Sequence, residues 1–224
     1  QLEPKELQLE LLQASCPAPR CQLQSAGPEG ELAFRPPRRH ASLAAGVPAA
    51  AVAREDARSS RWLFEVEAEL LEAAEDVVGI LWAVTGPRPS ALLPWRQSQN
   101  GLVDFTPGAV LSQQLPVGAF LDGRGEWSIW RWEAGDSEPS RVAGAVLDPA
   151  VGRRTLAAAL DLGRSTASFA VDGQWADPVQ LPALAPGAPL FPAAVASGAA
   201  AVRFCRGAAA CTPAPPGGSC VSAL

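Results

Sequence analysis

The chain of 224 residues contains no tyrosine, no methionine and a single histidine, His40. An enzyme needs a base, a nucleophile or a metal held in fixed geometry, and histidine often fills the first or last of these roles. The sequence also lacks a phosphate loop, an HExxH motif and a GxSxG motif. His40 lies in a predicted loop, away from any carboxylate or cysteine cluster, so we expect a protein that is not an enzyme.

Positive charge and long apolar runs are scarce as well. The 18 Lys and Arg residues are outnumbered by 23 Asp and Glu, which gives a formal net charge of -5. This balance argues against a nucleic-acid partner, and no apolar run approaches the ~20 residues of a membrane-spanning helix. The densest basic spot contains Arg38 and Arg39. These two are candidate contacts for an acidic protein or a sulfated sugar, although a solvated loop is the simpler interpretation.

Five cysteines are present, and all of them lie near the two ends of the chain: Cys16, Cys21, Cys205, Cys211 and Cys220. Cysteines that bracket a domain usually link its termini in an oxidising compartment, so we expect disulfide bonds and a secreted, extracellular protein. Reduced thiols in a cytosolic protein are the alternative. The chain begins with Gln and without a signal peptide, from which we expect a processed form or a fragment.

The remaining composition favours strands and turns. The 22 prolines and 20 glycines fall between short periodic runs, which is typical of an all-β domain. About ten to twelve strands are predicted, with turns every eight to twelve residues, as in a sandwich or barrel. The clearest hairpin joins 154–161 to 165–171, whereas 35–58 is predicted as a loop. The last fifteen residues are predicted to be loosely ordered unless a disulfide holds them.

One stretch organises the rest of this pattern. From Trp62 to Leu70, apolar residues alternate with glutamates, which predicts a half-buried antiparallel strand. The run 77–84 is apolar on both faces and predicts a more central strand. The five residues between them are enough for a hairpin loop. We therefore expect a paired hairpin at the middle of a β-sandwich, with Trp62 anchoring its core.

Two side-chain clusters on predicted strands are candidates for function. Trp130 and Trp132 share a strand face, opposite Trp127, and would form a partner surface if both were exposed. Burial of at least two of the three tryptophans in the core is the favoured alternative. Residues two apart on a strand face, as in 65–69, lie roughly 6.5–7 Å apart, within the range of glycosidase carboxylates. A solvated acidic face gives the same pattern, and we expect that instead.

Several segments in the same order resemble a laminin G-like module of the type found in protein S, the growth-arrest-specific ligand and sex hormone-binding globulin. They are 62–70, 79–83, 102–104, 154–161, 167–173 and 201–207. The resemblance implies a concanavalin-like antiparallel β-sandwich, or jelly roll, over 22–205. Residues 1–21 would then be the tail of a preceding module or a linker, and 206–224 a Pro/Gly-rich tail.

The same resemblance implies a secreted, non-enzymatic binding module that contacts a receptor or a plasma protein, or alternatively a carrier of a steroid or other small apolar ligand. Ala208, Ala209 and Ala210 replace the acidic run that helps some relatives to bind calcium. No metal and no cofactor are therefore expected. The family pattern also implies a terminal disulfide in which Cys205 or Cys211 joins Cys220.

A rival resemblance rests on 160–169, Asp172-Gly173 and 190–193. These segments are similar to the C-terminal half of a SPRY domain, another concanavalin-like sandwich. That family implies an intracellular peptide-binding domain of a ubiquitin-ligase adaptor. A secreted module predicts a Cys220 disulfide, whereas a cytosolic one predicts five free thiols.

Overall fold

A computed structural model provides the fold. It describes residues 8–13, 22–26, 31–35, 41–47, 61–71, 76–83, 116–133, 135–136, 138–148, 152–182, 190–197, 200–205, 214–218 and 220–222. The first eight strands are β1 (Gln8–Gln13), β2 (Gln22–Ala26), β3 (Glu31–Arg35), β4 (Ala41–Val47), β5 (Arg61–Leu70), β6 (Val77–Ala83), β7 (Val117–Asp122) and β8 (Glu126–Arg131). The others are β9 (Ser140–Val146), β10 (Gly152–Asp161), β11 (Thr166–Val171), β12 (Gln174–Trp175), β13 (Val179–Gln180), β14 (Phe191–Ser197), β15 (Ala201–Cys205) and β16 (Val221–Ser222).

These strands form two sheets that pack face to face. The seven-stranded sheet has the order β1-β4-β14-β6-β7-β8-β9. The nine-stranded sheet has the order β12-β11-β10-β5-β15-β3-β2, with β13 added beside β11 and β16 beside β5. Apart from the parallel pair β16–β5, the neighbours named in these two orders run antiparallel. The predicted all-β antiparallel sandwich is confirmed.

The predicted hairpin between β5 and β6 is wrong. β5 lies in the middle of the nine-stranded sheet and β6 in the middle of the seven-stranded one, so the connection at 71–76 crosses between the layers. Each of the two strands has an apolar face. These faces can bury each other only when the strands lie in different sheets, on opposite sides of the core. Asp76 fixes the crossing: its carboxylate accepts the Leu71 N–H at 2.5 Å, and its carbonyl accepts the Gly123 N–H at 2.9 Å.

The prediction that β6 is buried on both faces is confirmed. Every residue from Val77 to Trp82 is buried. Ile80 and Trp82 point into the core between the sheets, whereas Gly79 lies beside Phe120 on the outer face. A Cβ atom at Gly79 would come within 2.5 Å of the Phe120 ring. The strand therefore packs against neighbours on both sides.

The hairpin predicted from 154–161 and 165–171 is confirmed, with Leu160 opposite Ala167 and Asp161 opposite Thr166. The loop predicted over 35–58 is wrong in part, because β4 lies within it and pairs with both β1 and β14. The residues of β4 are mostly Ala, Ser and Gly. Side chains this small give little periodic signal, so the neighbouring strands decide the conformation.

Both terminal segments contribute strands to the sandwich. β1 lies within the predicted tail 1–21, and β16 lies within the predicted tail 206–224. The domain boundaries after 21 and 205 remain predictions. In the part of the chain that the structure describes, no helix has the length and apolar character needed to cross a membrane.

Candidate functional site

A row of polar residues crosses the outer face of the nine-stranded sheet at one end. Register places Gln180 opposite Thr166, Thr166 opposite Asp161, and Asp161 opposite Arg61. Their neighbours along each strand, Val179, Ala167, Leu160 and Trp62, pack in or against the core. Because side chains alternate along a strand, the polar residues must point outward. Strand alternation thus assembles four polar side chains from distant parts of the sequence.

This row borders a pocket of about 490 Å³, which we call the hairpin pocket. Its lining comprises Arg61, Ala159, Leu160, Asp161, Arg164, Thr166, Ser168, Pro178, Gln180, Pro216 and Gly217. Most of these residues lie on β10, β11 and the turn between them. The others come from β5, from β13 and the residue before it, and from the segment before β16. The floor is therefore part of a hydrogen-bonded sheet, which holds the polar groups in fixed positions.

Asp161 is the centre of the charged groups in the hairpin pocket. Its Oδ2 lies 3.3 Å from Arg61 Nε and 4.0 Å from Arg164 Nε, and its Oδ1 accepts the Arg164 backbone N–H at 3.0 Å. Arg61 also donates to the Pro216 carbonyl at 2.6 Å. The Arg164 side chain is 73% exposed, in contrast to Arg61 at 18%. Two guanidinium groups against one carboxylate leave the pocket with excess positive charge.

The segment before β16 forms one wall of the pocket. The Gly218 N–H donates to the Pro215 carbonyl at 3.1 Å, and Gly217 has φ 97°. Proline at the second position and a left-handed glycine at the third are the signature of a type II turn. β16 then pairs with Trp62 and Leu63. The loosely ordered tail predicted from the sequence is thus a turn and a short strand at these positions.

The tryptophan and arginine candidates do not lie at this pocket. Trp127 is buried in the core, whereas Trp130 and Trp132 are half-buried, so the expectation that at least two of the three are core residues is wrong. They belong to β8 and the residues after it in the seven-stranded sheet. Arg38 and Arg39 lie outside the described residues. A partner surface formed by these four side chains remains a prediction.

The acidic residues of β5 do not form a solvated face, contrary to expectation. Glu65 is only 4% exposed, and Glu67 forms an ion pair with Arg203 on the neighbouring strand β15. Register also places Arg153 of β10 opposite Glu69. Arginines on the adjacent strands therefore lie opposite these glutamates. The local sequence of β5 gives no sign of them, because they come from distant parts of the chain.

Cys205 and Cys220 are free thiols in the structure. Cys205 lies opposite Glu65, and Cys220 directly precedes Val221, which lies opposite Trp62. Four strand positions correspond to about 13 Å, beyond the reach of a disulfide. Cys211 lies outside the described residues, so a bridge from Cys211 to Cys220 remains a prediction.

Burial affects the chemistry of both thiols. It raises the pKa of Cys205 from 9.0 to about 11, with further contributions from the Glu67 and Glu65 carboxylates. Burial also raises the pKa of Cys220. Within the described ranges, no group of three or more His, Cys, Asp or Glu residues is arranged to hold a metal ion.

Sequence reasoning missed the hairpin pocket. Two signals were present, the Asp161–Arg164 turn and the outward Thr166 and Ser168 on the following strand. The contribution of Arg61 depends on the pairing of β5 with β10, which no local pattern indicates.

No family model and no curated protein matches this chain. Solved structures do match. The potassium-bound carbohydrate recognition domain of Emp46p has a TM-score of 0.52 at 10% identity, covering 88% of this chain and 85% of that one. The carbohydrate-binding module CBM66 from Bacillus subtilis has 0.46 at 8%, covering 88% and 91%. The SPRY domain of human HERC1 has 0.45 at 12%, covering 85% and 94%.

This likeness concerns the fold. The concanavalin-like jelly roll that the sequence predicts is confirmed by the two antiparallel sheets and by the likeness to the Emp46p domain. None of these three structures is named a laminin G-like module, and both the laminin G-like and the SPRY resemblance remain predictions.

Proposed function

We propose that this chain is a non-enzymatic binding module whose hairpin pocket holds an anionic group of a protein partner. The observation that supports this most directly is the unequal use of the two guanidinium groups around Asp161. Arg61 is held by Asp161 and by the Pro216 carbonyl. Arg164 lies 4.0 Å from the same carboxylate and is mostly exposed, so its donors remain accessible to a ligand.

The chemistry of the lining specifies the ligand group. A guanidinium is a planar fork of donors that fits a carboxylate or sulfate through two parallel hydrogen bonds. Thr166 and Ser168 line the same pocket and contribute hydroxyl groups to its wall. A pocket of about 490 Å³ accommodates one acidic side chain with part of its backbone.

Titration of the ¹⁵N-labelled chain with N-acetylglutamate, monitored by NMR, tests the pocket. We expect shifts at the amides of Arg164, Thr166 and Gly217, and none with N-acetylglutamine, which is similar in size but neutral. Arg164→Ala should abolish them. Arg124→Ala is the matched control, because Arg124 is also exposed and its backbone N–H donates to an aspartate, Asp122, at 3.0 Å. Equal shifts with both compounds, or unchanged shifts in Arg164→Ala, would contradict the proposal.

A second candidate ligand is an acidic sugar. The likeness to Emp46p, whose matched structure is named a carbohydrate recognition domain, favours it, and a sugar carboxylate or sulfate would suit Arg164 equally well. An array of sialylated, sulfated and neutral glycans separates the two candidates. Binding to acidic glycans that is lost in Arg164→Ala would favour the sugar. No binding to any glycan on the array, together with the N-acetylglutamate shifts, would favour the protein partner.

We further propose that the module works outside the cell, with Cys220 in a disulfide. The position of all five cysteines near the chain ends supports this location. Peptide mapping without reduction provides the test. A bridge to Cys220 would support secretion, whereas five alkylatable thiols would support the intracellular SPRY-type alternative.

A further inference from the structure

β9 is an exposed edge of the seven-stranded sheet. Among the strands that the structure describes, it pairs with β8 alone. All of its residues except Ala143 are exposed. An edge strand presents unpaired N–H and C=O groups to any further strand, and natural proteins usually guard such edges with lysine, proline or a covering segment.

Hydrogen bonding along β9 shows which backbone groups face outward. The Leu147 N–H donates to the Gly125 carbonyl, on the β8 side, at 2.8 Å. In an antiparallel pair, alternate residues bond to the same neighbour. Ala145 therefore bonds toward β8, and the backbone groups of Gly144 and Val146 point away from it. The register shifts between Ile129 and Trp130, which pair with Ala143 and Arg141, so Val142 of β9 is an extra residue without a register partner on β8. The regular ladder is therefore confined to 143–147.

Most side chains at this edge are small or apolar, and only one of them is charged. Three large hydrophobic residues are exposed among those described, and two of them, Val142 and Val146, lie on β9. Val146 is 82% exposed. The one charged residue of the strand, Arg141, extends back over Gly144 to Glu126, where Nη1 and Oε1 are 2.5 Å apart. Arg141 is therefore held along its own sheet rather than projecting from the edge.

We propose that two copies of this chain associate through β9, antiparallel and centred on Ala145. In this register Gly144 of one copy lies opposite Val146 of the other, and the reverse. Both outward-facing residues of the regular ladder then exchange two hydrogen bonds with their counterparts. The most exposed valine of the edge meets the residue without a side chain, over which the Arg141 guanidinium lies.

Charge also favours a second copy as the occupant. Arg141 lies at one end of the edge and the exposed Asp148 just beyond the other. Antiparallel pairing about Ala145 places Val142 of one copy opposite Asp148 of the second, with Arg141 beside it. Arg141 keeps 41% of its side chain exposed although it pairs with Glu126, so its guanidinium can also face Asp148 of the second copy at each end of the interface. An edge of seven residues buries less area than a standard interface, so we expect a weak, reversible dimer.

Sedimentation velocity over about 1–200 µM protein tests this association. We expect the weight-average sedimentation coefficient to rise with concentration, and Val146→Lys to abolish the rise. Leu71→Lys is the matched control, because Leu71 is another exposed large apolar residue, away from β9. Both side chains are exposed, so both variants should keep the fold, as checked by circular dichroism.

Hydrogen exchange at two protein concentrations locates the contact. The amides of Gly144 and Val146 should gain protection at the higher concentration, while that of Ala145, already bonded toward β8, should not change. A chain that remains monomeric throughout the range would overturn the proposal. A dimer that persists in Val146→Lys, or protection gained only elsewhere, would also overturn it. Arg164→Ala should leave the association unchanged, which keeps this test separate from that of the hairpin pocket.

Discussion

Phe64 and Trp82 meet edge to face across the core, with ring centroids 5.0 Å apart and planes at 86°. Each ring belongs to the central strand of its own sheet. Both side chains are almost completely buried. Aromatic pairs in this geometry stabilise a fold by about 0.5–1.5 kcal/mol beyond the area that they bury. This contact joins the two layers at their middle.

Phe64→Ala should therefore lower the free energy of unfolding by about 3–5 kcal/mol, because it removes a buried ring and leaves a cavity. Urea denaturation measures the change, and Leu71→Ala, at an exposed site, should alter it by less than about 0.5 kcal/mol. Trp62, expected from the sequence to anchor the core, is only partly buried. Trp62→Ala should lower stability less than Phe64→Ala, and the reverse order would show that the core is centred elsewhere.

Gly79 tests the packing on the outer face of β6. A Cβ atom there would lie 2.5 Å from Phe120 and 2.8 Å from Val195, both buried. Gly79→Ala should destabilise the protein by about 1–3 kcal/mol, since neither neighbour can move freely. Gly144→Ala is the control, because the nearest atom there is the flexible end of Arg141. Equal denaturation midpoints for the two variants would contradict this packing.

Asp76 should be essential to the crossing between the sheets. Its carboxylate accepts the Leu71 N–H, and the residue is 1% exposed. Asp76→Ala leaves that N–H without its acceptor, which should reduce stability by about 1–3 kcal/mol. Asp136→Ala, in an exposed turn, should change the denaturation midpoint little. A loss as small as that of the control would mean that water satisfies the crossing equally well.

Cys205 should make the reduced protein less stable at alkaline pH. Below pH 9 the thiol keeps its proton in both the folded and the unfolded chain. Between pH 9 and the folded pKa of about 11, only the unfolded thiol ionises, so the free energy of unfolding falls as pH rises. Denaturation of the wild type and Cys205→Ser from pH 7 to 11 measures this. The stability of Cys205→Ser should fall less steeply, and parallel curves would contradict the assigned burial.

The strands that were predicted correctly carry strong local patterns. Alternation from Trp62 to Leu70 and the two-faced run after Val77 fix β5 and β6 within a few residues. The hairpin of β10 and β11 follows from a tight turn between two short runs. Each of these features is decided by residues close together in the chain, which is where sequence periodicity is informative.

The placement of strands in sheets, and with it the pocket, could not be predicted. A hairpin and an inter-sheet crossing both need a short polar connection, so residues 71–76 do not distinguish them. Arg61 and Asp161 meet only because β5 and β10 pair along their whole length. Glu65 looked solvated because its local pattern is acidic, yet the fold buries it. Long-range pairing decided each of these outcomes.

The position of β5 has a consequence for biosynthesis. One of its edges is occupied by β10, and the other is shared by β15 and β16, whose residues come more than a hundred positions later in the sequence. While the ribosome is still extending the chain, that second edge stays open. Sheets that depend on such distant partners form slowly, and until they form they expose apolar surface and unpaired strand edges. A nascent chain lacking 201–222 should consequently recruit chaperones, and release of the finished polypeptide should free it from them.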